Sequence, residues 1–345
     1  MHIKVIQAAH GDCLLVESTS RGRRPTRLLI DGGAEDTFPA HLQHVLQGIG
    51  GRRIVDAVVL SHIDNDHVDG LLDLTRLLES DRANGVGRLV DIRDFWMNQF
   101  DVSAPQGDAP PGALFGMASG TDLARSVDRL GLPLNGKFGG APILVPDIAP
   151  FRLGPLEITV VGPSQEMLDK LREEWLEWLR QRAEIPEGAL ATWDTSLPNR
   201  SSVMILVRQG SKRALLPGDG RGDHLLSGLE LAGLMAPGGS IHVDLFKLPH
   251  HGSARNIDPE TLDRITADTY VLSANGRHDN PDYQALVWLA ESIRRRDGRA
   301  LLFFTNSTPS LDRLLASHPP DEFGYQVEVM SPEEHSRDLE VGGAG

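Results

Sequence analysis

The sequence predicts an α/β protein, on two observations. Short apolar runs of strand length, rich in β-branched residues, recur along its 345 residues, and several of them end in a turn made of Gly, Asp or His. Between these runs stand longer stretches whose Leu residues repeat at helical spacing. Composition agrees: 40% hydrophobic and 24% charged residues describe a globular chain with enough apolar side chains for a sizeable core.

Composition also excludes some functions. The net charge of −14 gives no general attraction to nucleic acid or to an anionic membrane, so a polyanionic substrate would need metal ions and a local basic patch. Cys13 is the only cysteine, which rules out an intrachain disulfide and a thiolate metal cluster. No apolar run approaches the roughly 18 to 20 residues that span a bilayer. The opening MHIKVIQAAHGDCLLVES reads as strand and lacks the apolar centre of a signal peptide, so the cytoplasm is the expected compartment.

Residues 2–9, 13–18 and 26–31 read as strands, with turns at Gly11-Asp12 and over the basic segment 21–25. The third strand ends Leu28-Leu29-Ile30-Asp31-Gly32-Gly33, where a plain turn suffices to explain Asp31. A helix is expected over 38–49. Ile54 to Leu60 then form an apolar run suited to a strand buried on both faces, followed at once by Ser61-His62-Ile63-Asp64-Asn65-Asp66-His67 and a helix over 68–80. In extended backbone His62 and Asp64 point to one side, and Asp66 and His67 turn the corner into the helix. The loop therefore offers two pairs of metal ligands. Taken singly, Asp66 could be a helix N-cap and His67 a solvated first-turn residue. Two His and two Asp within six residues, at the carboxyl end of a buried strand, favour a metal loop.

A strand is expected within 88–100. From 101 to 150 the chain is rich in Pro, Gly, Ala and Asp, with a Pro105–Pro111 loop and a short helix at 121–131, and reads as an insertion over the site with a lid as its candidate role. Leu156 to Val161 form a strand. A charged helix over 165–183 places Trp175 and Trp178 on one stripe, which reads as packing, with a partner-binding face as the alternative. Strands at 203–207 and 213–216 follow, and the second ends Leu216-Pro217-Gly218-Asp219-Gly220. After a helix at 222–235, the strand 243–248 ends Pro249-His250-His251-Gly252-Ser253. A strand at 270–274, a loop containing His278, a helix at 281–296 and a last strand at 301–305 complete the order. The polar, Gly-rich end from 333 onward is expected to fray.

The His62–His67 loop resembles the His-x-[His/Asp]-x-Asp-His signature of the metallo-β-lactamase-fold hydrolases. With Asp64 in its second position it is most similar to the metallo-hydrolase domain of the competence DNA-uptake family (ComEC-type). The resemblance implies a four-layer αββα sandwich with two mixed sheets, as a single domain over 1–332; the 101–150 insertion and the flexible tail at 333–345 match nothing in that family. It implies a metal set of His62, Asp64, Asp66, His67, a bridging Asp219 and His251, with His250 as the alternative for the last. Asp66 and Asp219 are then the catalytic carboxylates. Asp31 would support the loop from behind. Gly11-Asp12 matches half of a Gly-Gln-Gly-Asp turn and places Asp12 near the site. The usual further histidine is missing, since no His lies between His67 and His224. The Asn199 to Ser202 turn stands in its place, which makes Asn199 and Ser201 candidate neutral donors. His278 matches a family loop imperfectly.

Imidazole and carboxylate without thiolate suit two divalent ions, Zn²⁺ or Mn²⁺. Two ions about 3.5 to 4 Å apart lower the pKa of a shared water from about 15.7 toward roughly 7, making hydroxide available for attack. Three readings follow: a phosphodiesterase or nuclease acting on short nucleic acid or a small phosphodiester, a hydrolase of an ester, lactone or thioester, and a non-catalytic subunit bound to a protein partner. None calls for a membrane.

Overall fold

A computed structural model describes residues 1–18, 22, 24–98, 111–169 and 201–342. Two large sheets face each other. The first has the order β16 (Ser336–Glu340), β1 (His2–Ile6), β2 (Leu14–Glu17), β3 (Arg27–Ile30), β5 (Ala57–Val59), β7 (Phe95–Trp96). It is antiparallel from β16 to β3 and parallel from β3 to β7. The second runs β15 (Tyr325–Val329), β14 (Ala300–Phe304), β13 (Ile265–Leu272), β12 (Ile241–Lys247), β11 (Lys212–Leu216), β10 (Met204–Gln209), β9 (Leu156–Gly162), β8 (Phe151–Leu153). It is parallel from β15 to β11 and antiparallel beyond.

The apolar runs explain the layering, because neighbouring residues of one strand enter different cores. Leu28 and Ile30 join Ile3, Val5, Ile158, Val160, Ile205 and Phe303 between the sheets. Leu29, between them, packs outward with Leu71, Leu74 and Leu78 of α2 (Asn65–Ala83) and with Leu123 and Val127 of α3 (Pro111–Arg129). Likewise Ile205 faces the inter-sheet core, while Leu206 packs outward with Leu225, Leu262, Leu286 and Leu289. Each side chain so buried contributes roughly 1.5–3 kcal/mol. The outcome is the expected αββα sandwich, with helices on both outer faces.

Several elements depart from expectation. The run Ile54 to Leu60 is two strands, β4 (Ile54–Val55) and β5, because Asp56 breaks it and its carboxylate takes the Arg27 N–H and the Arg24 guanidinium. The helix after the metal loop starts at Asn65, so Asp66 and His67 lie in its first turn. Within 101–150, α3 begins at Pro111, and Arg129 pairs with Glu79 of α2 at 3.0 Å. Its later half, which overlaps the short helix expected at 121–131, packs in the outer helical layer. A side chain at Gly120 would strike Ile63, which explains the glycine at this point of the helix.

The end of the chain needs correction too. Residues expected to fray form β16, paired antiparallel with β1, with Leu339 buried and Asp338 in an ion pair with Lys4. It is an edge strand with one buried face, so its outward charges made it read as tail. Strand β15 and the helix Pro309–Ser317 were also not expected. The Pro105–Pro111 loop up to 110, the helix at 165–183 beyond 169 with Trp175 and Trp178, and Asn199 lie outside the described residues. Among the described residues no helix is long and apolar enough to cross a membrane.

Candidate metal centre

Four strand ends meet at one edge of the sandwich. The turn after β3 lies directly against the start of α2: Gly32 N–H donates to His67 O at 2.7 Å, and a side chain at Gly70 would collide with the Gly32 carbonyl. This contact explains the Asp31-Gly32 sequence. Gly11 meets the Asp66 carbonyl just as closely. Asp64 occupies the N-cap position of α2, yet its side chain makes no capping bond. It stands instead 3.6 Å from His62 Nε2. The N-cap reading of Asp66 is thus set aside.

Asp219, buried in the turn after β11, is the centre. Its Oδ1 lies 3.3 Å from His67 Nε2, and its Oδ2 lies 3.5 Å from His251 Nε2, 3.7 Å from His250 Nε2 and 3.8 Å from His62 Nε2. Asp66 Oδ2 is 3.2 Å from His251 Nε2. The opposite ring nitrogens are all anchored. His67 Nδ1 is 2.8 Å from Asp31 Oδ2, His251 Nδ1 is 2.9 Å from Ser273 O, and His250 Nδ1 is 2.7 Å from Asn256 Oδ1. His62 Nδ1 is 3.0 Å from Ser61 Oγ, which itself donates to Asp31 Oδ2. Each partner accepts, so each imidazole donates from Nδ1, and in its neutral form turns an Nε2 lone pair toward Asp219.

Among the described residues, His62 Nε2, His67 Nε2, His251 Nε2 and Asp219 Oδ1 are buried without a hydrogen-bond partner. Leaving such atoms unmet costs about 1–3 kcal/mol each. Donor atoms about 3.0 to 3.4 Å apart are what bonds of about 2.1 Å to a common ion require. The cluster therefore fits divalent metal. The donor groups His62–His67–Asp219 and Asp66–His67–His251 each lie within 4.8 Å of one another.

No protein-family model and no curated protein matches the sequence. Solved structures are similar to it over nearly the whole chain. The metallo-β-lactamase fold protein YhfI from Bacillus subtilis is 12% identical, with 98% of this chain and 99% of that one covered and a TM-score of 0.43. Zn²⁺-bound PqqB from Methylobacterium extorquens is 14% identical, covering 99% and 100%, at a TM-score of 0.46. A diphosphatase from the PhnP family is 11% identical, covering 99% and 98%, at 0.41. The similarity is one of fold.

The structure thus brings together His62, Asp64, Asp66, His67, Asp219 and His251, and adds His250. Asp31 and Asp12 stand behind them. Asp12 is buried, pairs with Lys247 and lies 3.4 Å from His251 Nδ1. Ser201 is buried just before β10, where Val203 N–H donates to Ser61 O. His278 is exposed and stays outside the cluster, its ring 6.2 Å from that of His10. Sequence reasoning overlooked Ser61, Asn256, Ser273 and Lys247. Only Lys247 carried a signal, as a cation at the end of an apolar strand, where burial demands a partner. Adjacent residues in extended backbone point to opposite sides, which would let only one of His250 and His251 face a metal. Both adopt left-handed conformations, φ 46° and 56°, and both reach Asp219.

Burial alone would lower the His251 pKa, but Asp219, Asp12 and Asp66 push it up to about 9. His67 is likewise held well above its ordinary value, against burial, by Asp219, Asp31 and Asp66. In metal-free protein His251 is charged at neutral pH. Because its folded value is raised, the His251 ion pairs contribute fully below about pH 6.5 and are lost as the pH rises through about 9. Chelator-treated protein should therefore melt at a lower temperature at about pH 9.5 than at pH 7. Metal-loaded protein should not show this loss, since binding has already displaced the protons. A melting temperature of the chelated protein that stays level or rises across that range would contradict the assignment.

Proposed function

We propose that the protein is a metal-dependent hydrolase that holds two divalent ions and cleaves a phosphodiester. The observation that carries the proposal is the convergence of anchored imidazoles, each turning Nε2 inward, on one buried carboxylate. His62 and Asp64 would hold one ion, Asp66, His67 and His251 the other, with Asp219 touching both. Such ions supply an activated water at neutral pH and polarise the oxygen of the group under attack. Asp31 fixes His67 through Nδ1, while Asp12, itself held by Lys247, stands behind His251.

The phosphodiester assignment is supported by the rim. Arg277 Nη1 lies 3.3 Å from His10 Nε2, and His278 faces the same ring. His10 is near enough to feel the charges of Asp66 and His251. Arg277 gives this rim one cation on a chain of net charge −14, which suits a small or short anionic substrate and not a long nucleic acid. The Asp64 form of the loop, shared with the competence-type domains, supports the same choice.

The test is to incubate metal-loaded wild type and Asp66→Ala with bis-p-nitrophenyl phosphate, short single-stranded DNA, and a panel of lactones and thioesters. Wild type should cleave the phosphodiesters, and the variant should be slower by about two orders of magnitude or more. Turnover confined to the carbon esters would reassign the substrate class. No turnover on any of them would favour a non-catalytic subunit.

A further inference from the structure

The first ion, as assigned above, has few ligands. His62 and Asp64 come from the loop and Asp219 from β11, and the segment where a further imidazole would be expected offers only Asn199 and serines. The turn after β12 supplies one from another direction. His250 Nε2 stands 3.7 Å from Asp219 Oδ2, the oxygen that His62 Nε2 approaches at 3.8 Å and His251 Nε2 at 3.5 Å.

The orientation of His250 is built. Its Nδ1 donates to Asn256 Oδ1 at 2.7 Å, and Asn256 Nδ2 donates to the Asp219 carbonyl at 3.0 Å, which fixes the amide the right way round. The His250 N–H is bound to Gly218 O at 3.2 Å, in the turn that carries Asp219. His250 and the turn that carries Asp219 are thus tied together twice. The backbone is unusual too: two successive non-glycine residues, His250 and His251, sit in the left-handed region that L side chains disfavour. That conformation is what lets adjacent histidines reach one carboxylate.

We infer that His250 is a metal ligand that replaces the missing histidine, giving the first ion the set His62, Asp64, His250 and Asp219. The inference rests on the two-ion reading above. It predicts that the two ions are held by separate histidines of the same dipeptide, His250 for one and His251 for the other.

The test is a titration of metal-free protein with Co²⁺, reading stoichiometry and the visible absorption of the bound ion. Wild type should take up two equivalents. His250→Ala should keep one and bind the second about 100-fold more weakly or worse, and Asn256→Ala should weaken that same ion by about 10-fold. If the alanine variant fails to fold, His250→Gln, of similar reach, serves in its place with the same expectation. Two tight equivalents and an unchanged spectrum in the His250 variant would overturn the inference while leaving the two-ion reading intact. Failure of wild type to take up Co²⁺ would overturn both.

Discussion

Asp219→Ala should leave the protein without metal and without hydrolytic activity. The carboxylate faces the Nε2 atoms of His62, His67, His250 and His251 at 3.3 to 3.8 Å, and no other carboxylate among the described residues lies this close to all of them. On the proposed two-ion reading its removal would take a ligand from both ions at once, whereas loss of any single histidine would affect one. It also takes away the counter-charge of His67 and His251. Burial works against the ionised Asp219 side chain, and those histidines with His250 nonetheless hold its pKa well below the usual carboxylate range. Deleting one partner of a buried pair costs on the order of 3–5 kcal/mol, so the metal-free variant should also melt lower than metal-free wild type. Elemental analysis of protein purified without chelator, alongside the phosphodiester assay, checks the outcome. A variant that keeps two ions per chain would remove Asp219 from the centre.

The layers of this fold were legible because burial leaves a direct trace in sequence. Leu28-Leu29-Ile30 and Met204 to Val207 are apolar without alternation since each face of the strand meets a core. The ligands at strand ends were legible because His and Asp following such a run have little reason to be there for packing. Edge strands leave a weaker trace: β16 shows one buried leucine among charges, and so read as tail. The histidine pair shows a second limit. Its orientation depends on φ values that the residue types do not announce, since left-handed backbone at the two histidines goes with bonds from His250 to Asn256 and to Gly218, which only the fold brings beside it. Supporting residues such as Ser61, Asn256 and Ser273 have the same character. Each is an ordinary polar residue whose role comes only from what the fold places beside it.

Asp31 tests whether such support matters to the ions or only to the fold. Its Oδ1 accepts the Ser61 N–H at 2.7 Å, and its Oδ2 accepts the Ser61 hydroxyl at 2.7 Å and His67 Nδ1–H at 2.8 Å. Asparagine has the same shape and, like aspartate, tolerates the left-handed backbone found there, φ 58°. In Asp31→Asn the amide oxygen must stay on the Ser61 N–H, because the opposite arrangement would set two donors against each other. The amide nitrogen then faces His67, and Nδ1 has to become an acceptor. The imidazole proton moves to Nε2, the atom that must be bare to bind an ion. The variant should therefore fold, with stability lowered by only about 1–2 kcal/mol, while its affinity for the ion at His67 falls by about 10- to 100-fold. Chelator competition measures the affinity and thermal melting the fold. If Asp31 were merely a turn residue, the two would change together and by little. Wild-type metal affinity in Asp31→Asn would mean that His67 binds no ion through Nε2.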